Sequence, residues 1–334
     1  MPPSTALSAL QRLILLATVL VVAGVLVGPA QAGIGLSGLR IRASGDDEAA
    51  VASVLRALRA ADTVTYQATQ HVALRDGDST WSTTRQVRNQ PGGLDPLVPL
   101  QVLRALLDSY QLAMGPVSHT GGRPATTVTA SSGGRLTARL WFDVDTGLLV
   151  RRDLFDDGGQ RVSSTRLTGL TVVDGHGHGP VLADPAPANA AGVLPAGSAS
   201  GLQQHGWCSP DQMAGMQRLG QGWLHPGGHS VLRLDYTDGL TSATVFEQAG
   251  RLDQSALRRF DPRSVDGHAA YVRIGAPTVV AWSDTGVVFT VVTDGPPDDL
   301  PALVDDLPHD PSSPGVLDRI GTGLSRMADW VIPG

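Results

Sequence analysis

A chain of 334 residues, 42% hydrophobic and 17% charged, carries enough apolar material for more than one folded domain and falls outside the disordered class. The formal net charge is -6, which argues against a nucleic-acid partner, because phosphate binding needs a basic surface. The single cysteine, Cys208, excludes an intrachain disulfide and a thiolate metal cluster. Glu48 and Glu247 are the only glutamates and there is no lysine, a pattern that fits the coding bias of a G+C-rich genome.

Taken in chain order, Leu13 to Val27 is almost wholly apolar, with Arg12 before it and Pro29-Ala30-Gln31-Ala32 after it. Residues 1–32 therefore read as a secretory signal cut after Ala32, or as an uncleaved membrane anchor. Either way the rest of the chain is expected outside the cytoplasm. The spacing of Val51, Val54, Leu55 and Leu58 predicts an amphipathic helix over 46–61, with Asp46, Asp47 and Glu48 at its positive end. Val64, Tyr66 and Ala68 then alternate with polar residues as a strand, and Trp81 to Arg88 reads as its hairpin partner. Gln90 to Pro99 is rich in turn formers. Leu100, Leu103, Leu106, Leu107 and Tyr110 have helical spacing.

Ala125 to Thr129 and Leu136 to Val173 complete a first sheet. Within it, Asp145-Thr146-Gly147 predicts a tight turn with Gly147 left-handed. That register pairs Val144 with Leu148, Phe142 with Val150 and Ala138 with Leu154 on one apolar face. It pairs Trp141 with Arg151 and Arg139 with Asp153 on a half-exposed polar face. A second turn at Asp156 to Gly159 brings Val162 opposite Leu154. The apolar face must then be covered by the two helices. Tyr66, Leu140, Phe142, Val150 and Leu154 on that face either line a cavity or form an ordinary filled core.

Residues 174–203 are mostly Gly, Pro, Ala and Ser, as a linker should be. A second domain is expected over 204–308. Its surest hairpin is Leu232, Leu234 and Tyr236, a turn at Asp238-Gly239, and a return through Ala243 and Val245. Ala270 to Ile274, Thr278 to Trp282 and Val287 to Val292 read as further strands, and Asp298 to Leu307 as a short helix. A last amphipathic helix is expected within 315–334, with Leu317, Ile320, Leu324, Met327 and Val331 on one side.

Local motifs for chemistry are weak. His176 and His178 are two imidazoles on a linker without a third ligand. Asp143, Asp145 and Gly147 echo a calcium loop that lacks its closing acid. The run 197–201, GSASG, has Ala199 where a nucleophile elbow needs serine. No phosphate loop or dinucleotide fingerprint is present. Cys208 reads as a small packed residue. No catalytic residue, metal or cofactor is expected.

Two blocks carry a resemblance. WFDVDTGLLVRRDLFDDGGQRV, beginning at Trp141, and LDYTDGLTSATVF, at Leu234 to Phe246, resemble the RseB/MucB family of extracytoplasmic regulators of the sigma-E stress response. The matching positions include Trp141, Gly147, Leu148, Tyr236, Asp238, Gly239 and Phe246, which the family uses structurally. The resemblance runs from about Val51 to Leu307. It implies an α+β protein: an open antiparallel barrel-like sheet covered by helices, as in lipoprotein carriers, over 46–173, then a smaller antiparallel sheet domain with a helix. It also implies a non-enzymatic regulator that binds the extracytoplasmic region of an anti-sigma factor and releases it when a lipid or amphiphile binds. The Pro/Ala-rich linker and the helix after Pro314 depart from the proteobacterial pattern. The rival readings are a lipid carrier with no regulatory partner and a hydrolase.

Overall fold

A computed structural model describes residues 48–89, 98–173, 207–225, 229–252, 257–284 and 286–307. The expected signal or anchor, the linker with His176 and His178, most of the turn-rich run at 90–99 and the C-terminal helix lie outside the described residues. The described residues form two compact units. One holds those before residue 174 together with Thr237–Leu240, and the other holds the rest.

The first unit contains helices α1 (Glu48–Thr63) and α2 (Val98–Ser109). Its strands are β1 (Tyr66–Asp76), β2 (Ser79–Asn89), β3 (Gln111–Met114), β4 (Ser118–Thr120), β5 (Arg123–Ser132), β6 (Arg135–Asp143), β7 (Leu149–Phe155) and β8 (Arg161–Val172). They make one antiparallel sheet in the order β2-β1-β8-β7-β6-β5-β3, with β4 also on β5. Among the described residues β2 and β3 end the sheet and do not meet, so it is open. The helical spacing turns Ala50, Val51, Val54 and Ala57 of α1, and Leu103 and Leu106 of α2, onto Val128, Ala130, Ala138, Leu140, Phe142 and Leu154 of the sheet. Asn89 fastens β2 to the end of α1, donating to the carbonyls of Ala61 at 2.8 Å and Val64 at 2.9 Å.

The register of β6 on β7 is Ala138 to Leu154, Arg139 to Asp153 and Trp141 to Arg151, as the sequence predicts. Beyond Trp141 it departs. A bulge lies between Trp141 and Phe142, and Phe142 faces Leu149 rather than Val150. The turn is also one residue wider than expected. The Asp143 N–H donates to Leu148 O and the Gly147 N–H to Asp143 O, which frees Val144 from the apolar face and leaves it 41% exposed. The next turn shifts register too, so Leu154 pairs with Ser163 and not with Val162.

The second unit contains β9 (Gln212–Met213), β10 (Met216–Leu224), β11 (Val231–Thr237), β12 (Ser242–Ala249), β13 (Asp261–Val265), β14 (His268–Arg273), β15 (Thr278–Asp284) and β16 (Val287–Thr293). A 3-10 turn at Pro297–Asp299 leads into α3 (Leu300–Asp305). The strands form a second open sheet in the order β13-β14-β15-β16-β12-β11-β10-β9. Its two faces both carry apolar side chains. Val245, Val280, Trp282, Phe289 and Val291 pack with Leu300, Leu303 and Val304 of α3. Phe246, Val279, Ala281, Val288 and Val292 pack with Leu252, Leu257 and Phe260.

Candidate functional site

The candidate site is the helix-covered face of the first sheet. Tyr66, Leu140, Phe142, Val150 and Leu154 are all buried there. They divide between two neighbouring clusters. Leu140, Phe142 and Leu154 lie under α1 and α2. Tyr66 and Val150 lie with Ala60, Ala68, Leu148 and Leu167. Burial pushes the Tyr66 hydroxyl up to about 12, so it stays a neutral phenol.

This face is not wholly apolar. Gln70 follows Tyr66 and Ala68 in the period of two, and it is buried with them. Arg85, directly across on β2, donates to its side-chain oxygen at 2.6 Å. Burial lowers the Arg85 guanidinium to about 10, because the charged form loses hydration. Arg152 lies between Val150 and Leu154 in the same alternation and donates to the carbonyl of Leu240. The sequence reading missed these three polar groups. The signal was available for Arg152, since its parity with Val150 and Leu154 already assigns it to the covered face.

The segment Thr237–Leu240 belongs to this unit. Leu240 is buried in the cluster of Leu140, Phe142 and Leu154. Tyr110 donates to Asp238 Oδ2 at 2.6 Å, and Asp238 Oδ1 accepts the Leu240 N–H at 2.8 Å. Gly239, at φ +90°, lies against the backbone of Leu106. Asp238 and Gly239 of the family motif are thus tied to α2 and the residue after it. Tyr236 and Phe246, the other two motif residues of that block, are core residues of the second sheet. Tyr236 donates to Pro210 O at 2.9 Å, and burial raises its pKa.

Trp141, Gly147 and Leu148 of the first block hold the β6–β7 turn. Gly147 has φ +78°. Trp141 is 7% exposed, more covered than a half-exposed face implies: it belongs to the buried cluster of Ala125, Leu148 and Val150, and the Arg151 guanidinium lies 4.4 Å from its ring centre. Asp143 does not have a calcium ligand's freedom. Its Oδ2 accepts from Arg123 at 2.5 Å, and its Oδ1 accepts from Arg123 at 3.1 Å and from the Thr146 N–H and hydroxyl at 2.8 Å each. Burial alone would push this carboxyl up, but the Arg123 and Thr146 hydrogen bonds and the Arg123 charge hold it below the usual carboxylate range. Cys208 is half-buried against the second core. Burial, and then the Glu247 charge, push its thiol up to about 11, which leaves little thiolate. Among the described residues no group of three or more His, Cys, Asp or Glu could hold a metal ion.

An open antiparallel sheet with two helices laid over one face is a fold of the lipoprotein-carrier kind. Residues 30–190 match the family model described as the MucB/RseB N-terminal domain. That match spans just under half of the chain. Similar solved structures include MucB, at 19% identity, TM-score 0.43, covering 78% of this chain and 98% of that one. The MucA/MucB complex of Pseudomonas aeruginosa matches at 18% identity, TM-score 0.40, covering 79% of this chain and 99% of that one. A putative outer membrane lipoprotein-sorting protein domain from Vibrio parahaemolyticus matches at 9% identity, TM-score 0.17, covering 39% of this chain and 95% of that one. No curated protein sequence matches the chain.

Proposed function

We propose that this protein is a non-enzymatic, extracytoplasmic negative regulator of a sigma factor. It binds the extracytoplasmic region of a membrane-spanning anti-sigma factor and shields that region from proteolysis. A lipid or other amphiphile bound under α1 and α2 releases the partner. The observation that carries this reading is the match of residues 30–190 to the MucB/RseB N-terminal domain. The solved relative that binds MucA points to the same kind of partner. Export through the apolar segment at 13–27 fits the compartment, and no helix among the described residues is long and apolar enough to cross a membrane.

The lipid site is the region of Tyr66, Leu140, Phe142, Val150 and Leu154. Leu240 and the facing sides of α1 and α2 now occupy the space over part of it. An acyl chain must displace or reposition them. A ligand shifts binding only through its difference in affinity between two arrangements, and this displacement supplies one. By linkage the partner weakens amphiphile binding by the same factor.

The test is a pull-down of the exported form from envelope extracts, followed by titration of a lysophospholipid into the purified complex. The partner affinity should fall as the lysophospholipid saturates. Phe142→Asp places an unpaired charge in the apolar cluster and should abolish lysophospholipid binding while the second unit stays folded. Partner affinity unchanged at saturation would leave a lipid carrier as the better reading.

A further inference from the structure

The face of the first sheet turned away from the helices carries a different kind of chemistry. Pairing across the strands sets His71, Arg166, Arg151 and Trp141 in one row. The next row is Ala73, Ser164, Asp153 and Arg139. Arg151 and Arg166 are direct cross-strand partners, and like charges in that position repel. Arg161 reaches the same patch. Asp153 is its one carboxylate, and it is spent. It is buried, it accepts from Arg151 at 3.0 and 2.6 Å, and it accepts from Ser164 at 2.7 Å. Arg139 and Arg166 have no carboxylate partner among the described residues. The chain as a whole is acidic, at -6, so this concentration of guanidinium is local.

We infer that this arginine face is a docking surface for an acidic, extended segment of a protein partner. Arg139 and Arg151 lie over the Trp141 ring, at 5.9 and 4.4 Å from its centre, and Arg139 also lies over Phe155 at 5.9 Å. Stacking fixes the planes of these guanidiniums, and a fixed planar fork suits a planar carboxylate. The row spacing of a sheet, about 4.8 Å between strands, offers such forks at regular intervals to a chain laid across it. A bilayer surface fits less well. Peripheral membrane binding uses apolar side chains that insert, and Trp141 is buried here. The inference concerns the face opposite the lipid site and does not depend on the regulatory reading.

The probe is a fluorescein-labelled peptide of alternating aspartate and serine, read by anisotropy against the full exported chain. An asparagine-serine peptide and vesicles rich in phosphatidylglycerol serve as comparisons. The aspartate peptide should bind, and raising the ionic strength should weaken it, because exposed charges are screened beyond about 10 Å at 0.1 M. The double variant Arg139→Glu, Arg166→Glu should lose at least about tenfold in affinity, and Arg166→Gln alone, which keeps the stacking on Trp141, should lose a smaller factor. Melting curves of each variant show whether it folds. Equal binding of the asparagine peptide, unchanged binding by a folded Arg166→Gln, or binding to the vesicles with none to the peptide would overturn the inference. So would an affinity that merely tracks self-association in sedimentation.

Discussion

The two sheets have the same strand number but use their faces in opposite ways. The first puts apolar residues on one face and arginine, histidine and threonine on the other, so β1 reads Tyr66, Ala68, Val72 and Leu74 against Gln67, Thr69 and His71. The second buries both. In β16, Phe289 and Val291 enter one core while Val288 and Val292 enter the other. An alternating strand needs one cover and leaves one face for a partner; a continuous apolar strand needs two covers and leaves none. On the proposed reading, binding falls to the first sheet, while both faces of the second are taken up by its own cores.

Neighbouring residues on one strand give the strongest test. Phe289→Ala should cost about 3 to 5 kcal/mol and Val288→Ala on the order of 2 kcal/mol, because both side chains leave a cavity. Leu140→Ala should cost about 2 to 5 kcal/mol, whereas Arg139→Ala next to it should cost about 1 kcal/mol or less. Urea titration of each variant measures the set. A heavy loss at Arg139 would mean that the outer face is a third core, and the comparison would fail.

Much of this contrast was legible. Valine-rich runs such as Val287 to Val292 announce a strand buried on both sides, and the spacing in α1 and α2 announces their covered faces. Asp238-Gly239 announced a turn. What the turn packs against was not legible, because Leu240 meets Leu140 and Phe142 through long-range packing that leaves no local pattern. The bulge after Trp141 was hidden for a similar reason. Nothing in WFDVDTG marks the extra residue, and a shift of one residue turned Val144 out of the apolar face. β13 was hidden by Pro262, which demotes a strand reading and here sits on the end strand of the sheet. Parity placed Tyr66, Leu140, Phe142, Val150 and Leu154 on the covered face, but Gln70, Arg85 and Arg152 were passed over because polar residues are expected outside.

Two glycines with similar backbone angles separate strain from crowding. Gly147 and Gly239 have φ of +78° and +90°. A Cβ on Gly147 would meet the flexible Arg56 side chain at 3.1 Å, which can move away. One on Gly239 would come within 2.6 Å of the Leu106 backbone nitrogen and Cα, which cannot. Gly239→Ala should therefore destabilise the first unit by about 3 kcal/mol or more, and Gly147→Ala by about 1 kcal/mol, rising to about 1 to 3 kcal/mol for Gly147→Val. Thermal melts of the three variants would expose an error, since equal shifts for both alanine variants contradict the packing of Gly239 on α2.

The units also differ in how they bury acid, and pH should pull them apart. Asp143 in the first is fully paired, and its folded pKa lies below the ordinary 3.8. Its stabilisation is present above that value and is lost as pH falls through the folded pKa. Glu247 in the second is 0% exposed, with one oxygen accepting the Cys208 N–H at 2.9 Å and the other, Oε1, without a partner. Burial, against the Cys208 hydrogen bond, raises its pKa from 4.5 to about 7. The facing titratable groups are the Cys208 thiol and the Tyr236 hydroxyl, with Arg218 and Asp211 near Tyr236. Below pH 4.5 the carboxyl is protonated in both folded and unfolded chains, and the fold carries no penalty. Between there and about 7 the unfolded chain ionises first, so stability falls as pH rises and then levels off. The loss should be on the order of 3 kcal/mol. Glu247→Gln keeps the hydrogen-bonding shape without the charge. In urea titrations it should match the wild type at pH near 4 or below and exceed it by that amount near 8. The Asp143→Asn variant should do the reverse, losing stability at neutral pH and converging with the wild type only in acid. If Glu247→Gln instead shows the same difference at both pH values, the carboxylate is solvated or paired in solution, and the contrast in buried charge between the two units disappears.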